Sequence, residues 1–164
     1  MSTKNSDSVQ LFEVGPRDGL QSEKTILSAE DKLEYIKLLH KAGLRNIEAG
    51  AFVAKNKIPQ MENTPALIDL MAKDSAVKSQ EFIYLVPNLK GLEISQKCGV
   101  KRVALFVGTS ETFNQKNVGA STDEVIKRIA DIVEAGEGIH FRAYLSTVFG
   151  CPYEGRKSFG VATD

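Results

Sequence analysis

The sequence predicts an α/β protein in which helices cover a parallel sheet. Apolar runs typical of strands alternate strictly with amphipathic stretches typical of helices, and the linkers between them are short. The strand–helix unit repeats about every 35 residues, which indicates either a barrel or an open, doubly wound sheet. Five strands are predicted, whereas a closed (β/α)₈ barrel has eight strands and typically about 250 residues. We therefore expect either an open sheet or an incomplete barrel.

Each element is predicted from its own pattern. Strands are expected at 9–14, 46–49, 81–86, 102–107 and 141–148, and helices at 29–42, 65–73, 89–98 and 122–135. Ser28 and Ser121 each precede an acidic residue by three positions, which is the spacing of a capping box at a helix start. Gly43 and Gly136 directly follow two helices, where a left-handed residue closes the last turn.

The composition excludes several classes of partner. The chain has 164 residues with 21 Lys plus Arg and 21 Asp plus Glu, so it has no net charge to attract nucleic acid or an anionic membrane. The longest apolar runs have about five residues, and a membrane-spanning helix needs about 20. We predict a single catalytic-domain portion over 1–164, with a disordered 1–8 segment and no nucleic-acid or membrane partner.

The two cysteines, Cys98 and Cys151, lie 53 positions apart and do not have the spacing of a metal site. The first eight residues lack the apolar core of a signal peptide. Free thiols in a reducing compartment are the simpler interpretation, and we predict a cytoplasmic location.

Polar residues follow the predicted strands, at the edge where α/β proteins bind their ligands. Arg17 and Asp18 come after the first strand, and Glu48 closes the second. A surface turn would explain Arg17 and Asp18 equally well from their spacing alone. A carboxylate at the end of a buried strand is costly without a cation or donors, so we predict a contact between Arg17 and Glu48.

Arg142, Tyr144 and Ser146 alternate along the fifth predicted strand and therefore share one face of it. We expect that face to line the barrel interior, because Ala143, Leu145 and Val148 supply an apolar face for helices. The stretch 108–119 is predicted to be a polar loop. It is either a solvated connection or a lip that binds an extended, phosphate-bearing substrate.

Other catalytic arrangements are not supported. His40 and His140 lie apart, so there is no zinc-type cluster, and both are interpreted as structural. The sequence has no G-x-S-x-G elbow and no P-loop, which argues against hydrolases and nucleoside triphosphatases.

Several stretches together resemble the 3-hydroxy-3-methylglutaryl-CoA lyase family, within the wider superfamily of metal-dependent TIM-barrel lyases and Claisen-type synthases. They are VGPRDGLQSEK at 14–24, AGLRNIE at 42–48, VAKNKIPQM at 53–61, PNLKG at 87–91 and RAYLSTVFGCPYEG at 142–155. Pro16 and Leu20 favour the lyases over the synthases, which usually have Leu before the Arg and Glu after the Gly. The resemblance covers nearly everything after about residue 9 and implies the first five strands of a lyase barrel.

The resemblance implies retro-Claisen cleavage of an acyl-CoA substrate to acetyl-CoA and acetoacetate, as in leucine degradation or ketone-body metabolism. It implies a divalent cation, Mg²⁺ or Mn²⁺, with Asp18 as a metal ligand. Arg17 and Glu48 become catalytic residues, and Arg17, Gln21, Arg142, Tyr144 and Ser146 become substrate-binding residues.

The family's His-x-His pair, its Asn ligand and its Gly-Gly-Cys-Pro-Tyr loop do not occur in this sequence, and Cys151 matches an earlier, different segment. We therefore expect low activity from this chain alone, and a homo-oligomer or completion by the missing barrel half. The alternatives are a Claisen-type synthase or a non-catalytic half-barrel.

Overall fold

The computed structural model describes residues 9–158 and 160, so the predicted disorder of 1–8 lies outside the described residues. Within the described part, four parallel strands form one sheet in the order β1-β2-β3-β4. These strands are Glu48–Ala51, Ile83–Leu85, Arg102–Gly108 and His140–Ser146. Each strand pairs with the next one along the chain, and the predicted α/β class with a parallel sheet is confirmed.

Five α-helices accompany the sheet in the described residues. They are α1 (Ala29–Lys41), α2 (Thr64–Lys73), α3 (Leu89–Lys97), α4 (Glu111–Val118) and α5 (Thr122–Ala135). Ser28 and Ser121 cap α1 and α5 as predicted, and Ser121 forms a full capping box with Glu124. Gly43 has the expected left-handed φ of 98°, but Gly136 does not, because its φ is −97°. None of these helices is both long and apolar enough to cross a membrane.

The first predicted strand, 9–14, is reduced to one bridge. Glu13 pairs in parallel with Ile47, through Glu13 N donating to Asn46 O and Glu48 N donating to Glu13 O, both at 2.8 Å. Val9 and Leu11 are 89% and 68% exposed, so packing does not hold the start of the segment in a strand conformation. The segment occupies the place of a first strand beside β1 without forming its full ladder.

The two faces of the sheet bury separate clusters. The helix-facing cluster is the larger one and includes Ile36, Leu67, Val103 and Ile132. The opposite, inner face carries Ala51, Ile83, Leu85, Ala104 and Met61, with Phe12, Phe106 and Tyr144 packed against them. The expectation that Tyr144 lies on the inner face is therefore met. On the outer face of β4, Ala143 and Leu145 are exposed, so no described helix covers them.

The stretch predicted as a polar loop, 108–119, contains helix α4, and this prediction was wrong. Ser110 starts the helix by accepting a hydrogen bond from Phe113 N at 3.1 Å. Asn114 is fully buried, and its side chain bonds both the N–H and the C=O of Gly108 at 2.9 Å. Asn114 thus ties α4 to the end of β3, which a reading of apolar periodicity does not detect.

A short antiparallel hairpin follows β4. It consists of β5 (Gly150–Cys151) and β6 (Gly155–Arg156). Cys151 Sγ lies 2.9 Å from the hydroxyl of Ser110, and Glu154 accepts a hydrogen bond from Thr112 N at 2.8 Å. The hairpin is therefore attached to the N-terminus of α4.

We predict that α5 is stabilised by Ile132 and not by Ile126. Ile126 is 52% exposed, whereas Ile132 is 1% exposed. Ile132→Ala should lower the free energy of unfolding by about 2–4 kcal/mol, because it removes buried volume. Ile126→Ala should change it by less than about 0.5 kcal/mol. Urea unfolding measures both, and equal losses would contradict the packing.

Glu154 makes the hairpin's attachment dependent on pH. The Lys157 ammonium, followed by the Thr112 amide, lowers the pKa of Glu154 from 4.5 to about 2. A lowered folded-state pKa contributes stability that is fully present above the unfolded pKa and lost as pH falls through the folded value. The stability difference between the wild type and Glu154→Gln should be constant above about pH 4.5 and shrink toward pH 2. A difference that grows as the pH falls would refute this, and Glu137→Gln, on an exposed loop, is the control.

Candidate active site

A cleft of about 690 Å³ opens at the carboxyl ends of the strands. Of the predicted site residues, it is lined by Arg17, Asp18, Gln21, Tyr144 and Ser146. Residues 14–21 form one wall, and β4 with helices α4 and α5 forms another. Arg17 and Ser146, which are 129 positions apart in the sequence, therefore line the same cleft.

A buried carboxylate holds the arginine of the cleft. The Arg17 Nε donates to Oε1 of Glu48, whose side chain is 1% exposed, so the predicted contact is present. Tyr144 donates its hydroxyl hydrogen to the other oxygen, Oε2, at 2.7 Å. Both oxygens of Glu48 therefore have donors, which a carboxylate at this depth requires.

The local backbone brings Arg17 to this position. Residues Gly15–Gly19 form a single π-helical turn, in which Asp18 N donates to Val14 O at 2.7 Å. A Cβ at Gly15 would lie 2.6 Å from the Tyr35 hydroxyl oxygen and 2.7 Å from a Glu13 carboxylate oxygen, so a side chain there would displace the ends of these two side chains. The turn follows the bridge between Glu13 and Ile47, which directly precedes β1, and this brings Arg17 within hydrogen-bond distance of Glu48.

The Arg17 guanidinium also pairs with Asp18. Arg17 Nη1 donates to Asp18 Oδ1 at 2.7 Å, and the Asp18 side chain is 60% exposed. In the part of the chain that the structure describes, no hydrogen bond to Nη2 is present. The arginine is thus held at Nε and Nη1, and its side chain lines the cleft.

A metal ion would find one carboxylate here. No group of three or more His, Cys, Asp or Glu side chains that could hold a metal occurs among residues 9–158 and 160. Asp18 is exposed and close to the cleft, but one of its oxygens already pairs with Arg17. Since affinity depends on the number of ligands, the described residues do not form a divalent-cation site by themselves. Asp18 as a metal ligand stays a prediction.

Tyr144 is a hydrogen-bond donor to Glu48 over a wide pH range. Burial, the hydrogen bond to Glu48 and the charge of Glu48 together raise the pKa of Tyr144, and the charge of Arg142 works in the opposite direction. The phenol therefore keeps its proton near neutral pH. Its role here is to complete the pairing of the buried carboxylate.

Arg142 lies against two aromatic rings. Its guanidinium carbon lies 3.6 Å from the centroid of the Phe12 ring and 5.1 Å from that of Tyr144. It does not belong to the residues that line the cleft. The predicted substrate contact of Arg142 has no support in this geometry and stays a prediction.

Two cations and a helix face at the cleft were not predicted. Lys57, from the segment between β1 and α2, and Arg128, from α5, both line the cleft, and so do Phe113 and Asn117 of α4. Arg128 lies three residues after Val125 and four before Ile132, which are the buried positions of α5. The sequence would have predicted Arg128 at the cleft if Val125 and Ile132 had been recognised as the buried face of α5. Phe113 and Asn117 could not be predicted, because they lie on α4, which was predicted as a loop.

Residues 8–162 match a protein family described as HMGL-like. Hydroxymethylglutaryl-CoA lyase of Bos taurus, described as mitochondrial, is 41% identical to this chain over 152 residues, which are 92% of this chain and 46% of the relative. The hydroxymethylglutaryl-CoA lyase of Pseudomonas mevalonii is 40% identical over 149 residues. This chain spans about half the length of the curated relatives it matches.

A solved structure of hydroxymethylglutaryl-CoA lyase from Pseudomonas aeruginosa superposes with a TM-score of 0.83 at 39% identity. The match covers 92% of this chain and 50% of that one. An HMG-CoA lyase from Acinetobacter baumannii, solved in complex with coenzyme A and 3-methylmalate, has a TM-score of 0.87 at 30% identity. That match covers 99% of this chain and 52% of that one.

We predict that the Tyr144 hydroxyl stabilises the site. Tyr144→Phe leaves Oε2 of the buried Glu48 without its donor, which should cost about 1–3 kcal/mol in free energy of unfolding. Tyr153→Phe is the matched control, because Tyr153 is 51% exposed, and should cost less than about 0.5 kcal/mol. Urea unfolding at neutral pH measures both, and a neutral Tyr144→Phe would contradict the pairing.

Proposed function

This chain belongs to the HMGL-like family, and we propose that its cleft serves the divalent-cation-dependent cleavage of 3-hydroxy-3-methylglutaryl-CoA to acetyl-CoA and acetoacetate. The observation that carries this proposal is the Arg17 guanidinium, anchored by Glu48 and Asp18 in the lining of the cleft. The likeness to solved lyases over half their length supports the same assignment.

The reaction is a retro-Claisen cleavage. When the tertiary hydroxyl loses its proton, the oxygen becomes a ketone and the adjacent carbon–carbon bond breaks. Its electron pair forms the enolate of the acetyl thioester, which then takes up a proton at carbon. Negative charge therefore moves from the hydroxyl oxygen to the thioester oxygen. A rigid cation beside that oxygen lowers the barrier, because it stabilises charge where it develops.

Arg17 is suited to this role because its position is set before the substrate arrives. Glu48 fixes Nε, and Asp18 fixes Nη1, so the guanidinium plane cannot rotate freely. Preorganised donors stabilise a developing charge more than mobile ones do, since they need no reorientation during the reaction. In this proposal Arg17 and Glu48 are the catalytic residues, and Glu48 acts by holding Arg17.

The remaining cleft residues bind the substrate in this proposal. Gln21 and Ser146 offer polar groups on opposite walls, and Lys57 and Arg128 supply positive charge toward an acyl-CoA. Mg²⁺ or Mn²⁺, when bound with Asp18 as one ligand, would act as a Lewis acid on substrate oxygens. Completion of the site by further ligands, by a second copy or by another barrel half belongs to the proposal, as does the cytoplasmic location.

The proposal predicts that Arg17→Met abolishes cleavage. Acetoacetate released from 3-hydroxy-3-methylglutaryl-CoA in the presence of Mn²⁺ should fall at least about 100-fold, because a charge-stabilising donor is lost. Arg156→Met, which changes an exposed arginine of the hairpin, should leave the rate unchanged.

Failure of the wild-type chain to bind this thioester, or to cleave it once the missing barrel half is supplied, would overturn the proposal for this chain. Release of free thiol from acetyl-CoA in the presence of a keto acid would instead identify a synthase.

A further inference from the structure

Arg142 is a cation whose contacts are aromatic. Its guanidinium carbon lies 3.6 Å from the Phe12 ring centroid and 5.1 Å from the Tyr144 ring centroid. Its Nε is buried and has no hydrogen-bond partner, and none of the ion pairs among residues 9–158 and 160 includes this arginine. Stacking on ring faces and a side-chain hydrogen bond to Tyr144 therefore hold it on the inner face of β4.

Each ring is connected to one member of the Arg17–Glu48 pair. Tyr144 is connected to Glu48, because its hydroxyl donates a hydrogen bond to that carboxylate. Phe12 lies five residues before Arg17, in a segment that is otherwise attached by the Glu13 bridge and by Asn46 Nδ2 donating to Leu11 O at 3.4 Å. Val9 and Leu11, which precede Phe12, are exposed, whereas Phe12 packs against the inner cluster and so anchors this segment.

We propose that Arg142 is a positioning residue, which clamps Phe12 and Tyr144 and thereby holds Arg17 and Glu48 against each other without touching the substrate. The importance of this clamp for catalysis rests on the proposed function, but the clamp itself is a property of the folded chain. A planar guanidinium can lie flat against a ring while its charge stays near the Tyr144 hydroxyl. A lysine would keep the charge and lose the plane.

The arrangement also strengthens the hydrogen bond to Glu48. A positive charge close to a phenol makes its hydroxyl a better donor, and Tyr144 donates to a carboxylate. Loss of Arg142 would therefore loosen the pair from both sides, through the ring of Phe12 and through the hydroxyl of Tyr144.

Nuclear magnetic resonance of this chain tests the clamp without any substrate. The Nε proton of Arg17 reports the ion pair directly, and the Cζ signal of Tyr144 can be assigned among four tyrosines by substitution with phenylalanine. In Arg142→Met we expect the Arg17 Nε proton to exchange with water about tenfold faster, as loss of a partly buried cation–ring contact implies. The Tyr144 Cζ signal should shift in the same variant.

Arg142→Lys should speed the exchange of the Arg17 Nε proton as Arg142→Met does, because the charge alone does not restore the stack. The Tyr144 Cζ signal should shift less than in Arg142→Met, because the positive charge near the hydroxyl is kept. Phe12→Leu leaves Arg142 in place and should also speed the exchange of the Arg17 Nε proton. This variant replaces Arg142→Met in the test if Arg142→Met does not fold. Arg156→Met, on the exposed hairpin, is the control and should change neither signal.

Unchanged Arg17 and Tyr144 signals in Arg142→Met would overturn the clamp, and so would an unchanged Arg17 signal in Phe12→Leu. Unchanged signals together with weaker acyl-CoA binding would make Arg142 a substrate contact instead. A chain that shows the expected shifts but does not cleave the thioester once the missing barrel half is supplied would refute the proposed function and leave the clamp standing.

Discussion

The buried carboxylate of Glu48 is the constraint on which the site depends. At 1% exposure it needs donors on both oxygens, and it receives one from Arg17 and one from Tyr144. These partners are 31 and 96 positions away in the sequence. A single charge on β1 thus joins the turn at Gly15–Gly19 to the last strand of the sheet, and a change in the register of β4 would leave that charge without one of its donors.

The same constraint gives the cleft its character. Because Glu48 takes the Nε of Arg17 and Asp18 takes Nη1, the guanidinium presents one fixed edge to the cavity. The segment between β1 and α2 adds Lys57, and α5 adds Arg128, so the cleft combines a rigid cation with further positive charge. That combination suits an anionic substrate whose charge moves during the reaction, and it is built from the described residues before any ligand is present.

The sequence predicted the elements whose signals are local. Capping serines mark α1 and α5, and the contact between Arg17 and Glu48 followed from the cost of burying a carboxylate at a strand end. Features that depend on tertiary placement were missed. The register of β3 against β4, which aligns Phe106 with Tyr144, brings Tyr144 to Glu48, and no local pattern encodes that register. Helix α4 was missed because it is fixed by the buried Asn114 and not by an apolar stripe.

A double-mutant cycle between Arg17 and Glu48 tests the central claim most directly. The free energy of unfolding would be measured for the wild type, Arg17→Met, Glu48→Gln and the double variant at neutral pH. If the buried carboxylate depends on this arginine, the two single losses should overlap, with a coupling of at least about 2 kcal/mol. A coupling near zero would mean that the two side chains contribute independently, and the account of the site built on their pairing would be contradicted.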